Sequence, residues 1–240
     1  MLFYGRKYTI KVIKRAIAIR FIVAIALSVC MINLAEPSTY VSNSLTQEQL
    51  GNYIQEDYRL ERILDIVYPE ISKDQKECWR RLLLGTVAVE SNFLVRYSRR
   101  TPNGNGPYQI IGDTIYGVIH SYVSYPLADS GKRGFRKELI AIFDKVTNQR
   151  VTWDQLVSMD KNQLVELCVE DYDFSALVSL LVYKDAFERN NITQFKSDSL
   201  SLAKLWKEFY NTSLGVGTVE RFVKRYDSIV DIISVDKAIA

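Results

Sequence analysis

The chain has 240 residues, 48% of them hydrophobic, and a formal net charge of +3, enough for one well-cored domain with an appendage and too little for two large domains. The positive balance is local: six of the 31 basic residues (Arg6, Lys7, Lys11, Lys14, Arg15 and Arg20) precede the first acid, Glu36, which leaves 25 basic against 28 acidic residues in the body. A body without a basic excess lacks the electrostatic footprint for phosphate backbones, which argues against nucleic acid as a partner, and three scattered cysteines (Cys30, Cys78, Cys168) do not make a disulfide framework.

Phe21 to Ala35 carries no charge and follows the basic residues, the pattern of a targeting or anchoring segment. Its fifteen residues span about 22 Å as a helix, short of a hydrocarbon core of roughly 30 Å unless Arg20 snorkels and Ala16 to Ile19 join the span. A cleaved signal peptide and a retained anchor both remain open: Ala35 holds the small position before Glu36, but Asn33 stands where a second small residue is wanted. Either way the positive-inside rule places the remainder outside the cytoplasm. Residues 1–35 are thus a basic region with a hydrophobic helix, 36–45 a polar linker, and 46–240 the domain.

Thr46-Gln-Glu-Gln49 opens the domain with a capping-box pattern, and Ser72-Lys-Asp-Gln75 repeats it before a helix whose core face is Trp79, Leu82, Leu83 and Val87. After that helix come Arg96, Arg99 and Arg100, either a solvated loop or a contact for carboxylates of a ligand, and then Thr101-Pro-Asn-Gly-Asn-Gly-Pro107, a run of turn formers expected to make a hairpin-like loop folding back over Glu90. Residues 112–170 read as helical, with elements over Asp113 to Val123, Arg136 to Val146 and Trp153 to Leu167, the last opened by Thr152-Trp-Asp-Gln155. Phe174 to Phe187 is apolar nearly all round and reads as the central buried helix. Leu200 to Tyr210 follows, with Leu202, Leu205, Trp206 and Phe209 facing inward. The fold class expected is mainly α with at most a small β-hairpin between about Arg96 and Ile111.

The candidate chemistry centres on Glu90. At 100° per residue it falls on the stripe of Trp79 and Leu83, which puts a carboxyl on the apolar face near a helix C-terminus. Desolvation and the negative end of the helix dipole both raise its pKa, the tuning a proton donor needs near neutral pH. His120, the only histidine, has no Gly-x-Ser-x-Gly partner and reads as structural; no metal-ligand spacing and no cofactor motif occur.

Three segments together carry a family resemblance. Glu90-Ser91 closes a helix, Gly106-Pro107-Tyr108-Gln109-Ile110 follows, and Phe209-Tyr210-Asn211-Thr212 precedes Gly215-Val-Gly217-Thr-Val219-Glu-Arg221. In order and spacing they resemble the lytic transglycosylases and goose-type lysozymes, whose second segment usually reads Gly-Leu-Met-Gln and whose third reads Ala-Tyr-Asn-Ala-Gly. The resemblance covers roughly Ile71 to Tyr226. It implies a lysozyme-like fold, an insertion over about 112–170, and cleavage of peptidoglycan between N-acetylmuramic acid and N-acetylglucosamine. By motif, Glu90 is the acid and then the base, Ser91 and Gln109 position substrate, Tyr210 holds Glu90 by a hydrogen bond, and Asn211 shapes the cleft. Pro107-Tyr108 replaces the usual Leu-Met, so Tyr108 either stacks on a sugar face or fills the core.

Glycoside hydrolysis usually needs two carboxylates, yet no Asp or Glu lies between Glu90 and Gly106. The acid that goose-type lysozymes carry before a similar Asn-Gly-Asn-Gly stretch is replaced here by Pro102. Asp113 is the nearest acid beyond, and reads first as an ordinary helix N-terminal residue. The leading expectation is therefore a lytic transglycosylase, which needs one carboxyl. A muramidase on the same fold, or an inactive glycan-binding component of an envelope or virion, is the alternative.

Overall fold

Thr46 caps α1 (Gln47–Val67) as its sequence predicts: its hydroxyl accepts from the Gln49 N–H at 3.2 Å and the Gln49 side chain accepts from the Thr46 N–H at 2.7 Å. The structure, a computed structural model, describes residues 45–95, 100–101, 104–124, 140–148, 150–211 and 217–228. The hydrophobic segment and the linker expected over 1–35 and 36–45 lie outside the described residues, save Leu45. Among the described residues no helix is long and apolar enough to cross a membrane.

The fold is mainly helical. After α1 come α2 (Lys73–Ser91), a two-stranded antiparallel hairpin of β1 (Arg100–Thr101) and β2 (Gly104–Asn105), α3 (Gly112–Ser124), α4 (residues 140–146), α5 (Trp153–Ser158), α6 (Lys161–Glu170), α7 (Tyr172–Arg189), α8 (Ser199–Leu205) running into a π turn (Trp206–Asn211), and α9 (residues 219–228). The hairpin lies where turn formers predict one. A single helix over Trp153 to Leu167 was the wrong expectation: the chain breaks at Met159 because Asp160 starts a new capping box with Gln163, accepting its N–H at 2.9 Å.

α7 is the hub. Phe174, Leu177, Val178, Leu180, Leu181 and Tyr183 are all fully buried, and the helix touches α1, α2, α3, α6 and the π turn. An all-round apolar helix must be covered on every side. α1 and α2 pack beside it, joined by Arg80, which pairs with both Asp57 of α1 and Glu77 of its own helix. Trp79 anchors the start of α2 among Tyr68, Phe187 and Phe195, at ring-centroid distances of 5.5, 5.1 and 5.3 Å.

Two close approaches fix α9. A Cβ on Gly85 of α2 would lie 2.3 Å from Phe222 Cζ, and one on Gly217 would lie 2.3 Å from Trp206 Cη2. Only glycine leaves room for these rings, so α9 is seated against both α2 and the π turn.

Candidate active site

Glu90 lies in the last turn of α2, partly exposed, directly after the buried run Leu82–Val89. The turn that follows it is unusual. Asn92, Phe93 and Leu94 have φ values of 54°, 53° and 66°, three successive non-glycine residues in the left-handed region, each at a cost on the order of 1–2 kcal/mol. Helix α1 holds them there: Gln49 Nε2 donates to Asn92 Oδ1 at 2.8 Å and Asn52 Nδ2 to the Phe93 carbonyl at 2.6 Å. The Phe93 ring is buried edge-on against Tyr53 at 5.8 Å, and burying a phenyl group contributes about 1.5–3 kcal/mol.

The Ser91 hydroxyl is enclosed in this turn. It donates to the Val87 carbonyl at 3.0 Å and accepts from the Leu94 N–H at 3.2 Å, with no exposed surface. The substrate-positioning role expected for Ser91 is therefore corrected: both of its bonds stay inside the protein, and it shapes the backbone around Glu90.

The carboxyl itself is held from the π turn. Trp206 Nε1 donates to Glu90 Oε1 at 3.0 Å, and the Asn211 amide is also turned toward the carboxyl. In an α-helix, positions 206 and 211 would point about 140° apart; a π turn closes i→i+5 hydrogen bonds and brings them to one side. Burial raises the Glu90 carboxyl to about 7, against smaller lowering effects of the Trp206 N–H, the Arg221 charge and the Asn211 amide. No second carboxylate is among the groups that act on it among the described residues.

Tyr210 does not make the bond expected of it. Its hydroxyl donates to the Tyr108 carbonyl at 2.9 Å and its ring stacks on Tyr183 at 5.1 Å, while Trp206 takes the place at the carboxyl. Trp206 looks like core in the sequence because it is core: its side chain is fully buried, and only its N–H faces the acid.

Tyr108 fills the core and stacks on no sugar. It has no exposed surface, and its hydroxyl donates at 2.6 Å to Glu56, itself buried and paired with Arg59. Arg59 continues to Asp173 at the start of α7 at 2.9 Å. Gln109, with φ 52°, is partly exposed, and its amide donates to the Gly106 carbonyl at 2.7 Å. Gly106 has φ +66°, and a Cβ there would lie 2.4 Å from the Cys168 carbonyl of α6, which gives the Gly-x-x-Gln segment its glycine.

The remaining expectations place simply. Asp113 is exposed and pairs with Lys161 at 2.9 Å. His120 stacks on Tyr116 at 4.0 Å. Arg96 and Arg99 lie outside the described residues. A concavity of about 370 Å³, lined by Gln55, Tyr58, Arg59, Arg62, Asn148 and Asp173, shares no residue with the Glu90 group. Among the described residues no group of three His, Cys, Asp or Glu side chains is placed to hold a metal ion.

No known protein family, curated protein or solved structure matches this chain. The chemistry of the site therefore rests on Glu90 and its frame. A carboxyl that is partly reachable, mostly desolvated and balanced near neutrality can both give and take a proton.

Proposed function

We propose that this protein is a lytic transglycosylase with a lysozyme-like domain, cleaving the β-1,4 bond between N-acetylmuramic acid and N-acetylglucosamine in peptidoglycan. The observation that carries the reading is the state of Glu90: one carboxyl, raised to about 7 by burial and oriented by Trp206, with no partner carboxylate acting on it among the described residues. A hydrolase with two carboxyl groups would need the second one about 5–9.5 Å from the first.

The mechanism uses that single group twice. Protonated Glu90 gives its proton to the glycosidic oxygen as the bond from the muramic anomeric carbon to that oxygen breaks. The muramic N-acetyl group stabilises the developing oxocarbenium ion. Glu90, now a carboxylate, removes the proton from the muramic 6-hydroxyl as that oxygen bonds to the anomeric carbon. The products are a free 4-hydroxyl and a 1,6-anhydromuramic end; no water is consumed, and Glu90 returns to its protonated state. In this reading Gln109 and Asn211 border the substrate, and the basic and hydrophobic N-terminal segment delivers the domain to the outer face of the cytoplasmic membrane.

Mass analysis of muropeptide products tests it. Ends carrying 1,6-anhydromuramic acid are expected. Reducing ends would show that water is the acceptor and that the protein is a muramidase, and intact glycan would leave a binding role.

A further inference from the structure

One of the groups acting on Glu90 opposes its use as a proton donor. Arg221 is exposed on α9; its Nη2 donates to the carbonyl of Val89, the residue before Glu90, at 3.1 Å. Among the described residues it forms no ion pair. Its position is imposed by the neighbouring Phe222, seated against Gly85, and by Gly217, seated against Trp206. The fold thus holds a reachable cation beside the acid. In an empty site such a charge favours loss of the proton that Glu90 must donate.

Other groups facing Glu90 do not supply an alternative. Burial holds the hydroxyls of Tyr183 on α7 and Tyr210 on the π turn well above their ordinary range, so both are neutral. Lys207 is bonded to Asn211 at 2.9 Å, and its charge is not among those acting on the carboxyl. Trp206 and Asn211 are uncharged. Among the described residues, Arg221 is the charged side chain that both bears on Glu90 and meets solvent.

We propose that Arg221 is the carboxylate-recognition residue of this site: it pairs with an anionic substituent of the glycan, and that pairing keeps the proton on Glu90 until the bond is cleaved. The inference rests on Glu90 being the acid of glycan cleavage. Pairing cancels the guanidinium's effect on the acid, so a charged substrate prepares its own catalyst and a neutral one does not. A guanidinium fork suits a carboxylate better than an ammonium does. In peptidoglycan the carboxylate comes either from the 3-O-lactyl group, when no peptide is attached, or from the stem peptide.

The test compares initial rates of the full chain, Arg221→Gln and Arg221→Lys over a range of pH on three glycan strands. These are stem-free strands with free lactyl carboxylates, the same strands converted to methyl amides, and strands with stems. Wild type is expected to show a KM about 10-fold lower on a carboxylate-bearing strand than on the amide, in line with one charge-assisted contact. Arg221→Gln is expected to abolish that preference and to move the basic limb of kcat/KM to higher pH, and Arg221→Lys to keep part of both. Whichever strand wild type prefers identifies the lactyl or the stem source. Equal KM values in wild type, or a preference that survives Arg221→Gln, overturn the inference and leave the role of Glu90 intact. No turnover by wild type on any strand removes the transglycosylase reading, and this inference with it.

Discussion

Trp206 Nε1 donates to Glu90 Oε1 at 3.0 Å across 116 positions of sequence. The bond fixes the carboxyl's orientation and favours its charged form, so burial must overcome it to leave the group at about 7. Trp206→Phe retains an aromatic ring between Gly217 and Phe222 and removes the donor. We expect the basic limb of the pH–rate profile to move to higher pH, kcat to fall about 10-fold through loss of orientation, and stability to drop by about 1–2 kcal/mol. A pH profile identical to wild type would show that the indole does not act on the carboxyl.

Glu90→Gln separates catalysis from stability. Burial raises the folded pKa of Glu90 from its ordinary value of 4.5 to about 7, so the folded chain holds a proton that the unfolded chain releases between those values. Stability from this group is present below about pH 4.5 and is lost as pH rises through about 7. A neutral amide escapes that loss. We expect Glu90→Gln to cost activity by several orders of magnitude, and to stabilise the fold on the order of 2–3 kcal/mol above pH 7 with little gain in acid. Urea titrations at acidic and alkaline pH check the sign. A pH-independent difference would mean that Glu90 ionises normally.

Much of this frame is legible in the sequence, and the reasons differ by residue. Thr46, Ser72 and Thr152 announce their helices because capping is local, and α7 announces its burial because no face of it is polar. Glu90 stands out for the same reason, as an acid on an apolar stripe. Trp206 and Arg221 do not. Their roles depend on a π turn and on two glycine contacts between distant segments, and no local pattern encodes either. Asn92 carries a faint local signal, since Asn often ends a helix in the left-handed conformation; its neighbours Phe93 and Leu94 carry none, because the bonds that hold them come from Asn52 to the Phe93 carbonyl and from the Leu94 N–H to the Ser91 hydroxyl. Tyr108 was ambiguous in sequence because its acceptor, Glu56, is 52 positions away.

The two glycine contacts predict different phenotypes. At Gly85 an added methyl would meet the Phe222 ring inside the α2–α9 contact, and Gly85→Ala should destabilise by about 1–3 kcal/mol as overpacked cores do. At Gly217 the methyl meets Trp206, so the ring that yields is the one holding Glu90. Gly217→Ala is expected to lose more of kcat than Gly85→Ala at equal loss of Tm. Equal activity per folded molecule in the two variants would show that Trp206 can shift without disturbing the acid.

Tyr108→Phe distinguishes a core tyrosine from one that stacks on sugar. The ring volume is kept and only the hydroxyl is lost, which leaves Glu56 inside the protein with Arg59 as its remaining partner. Burial raises the Glu56 carboxyl, and the Arg59 charge and the Tyr108 hydroxyl oppose that rise. Removing the hydroxyl raises it further, so the penalty belongs to the ionised form and must grow as pH rises from acid toward neutrality. We expect a loss of about 1–3 kcal/mol near neutral pH, a smaller loss in acid, and an unchanged KM, since the ring has no surface to offer a ligand. The double variant with Glu56→Gln should show less than the sum of the two single losses, because the residues share one bond. A raised KM with undiminished stability would return Tyr108 to the sugar.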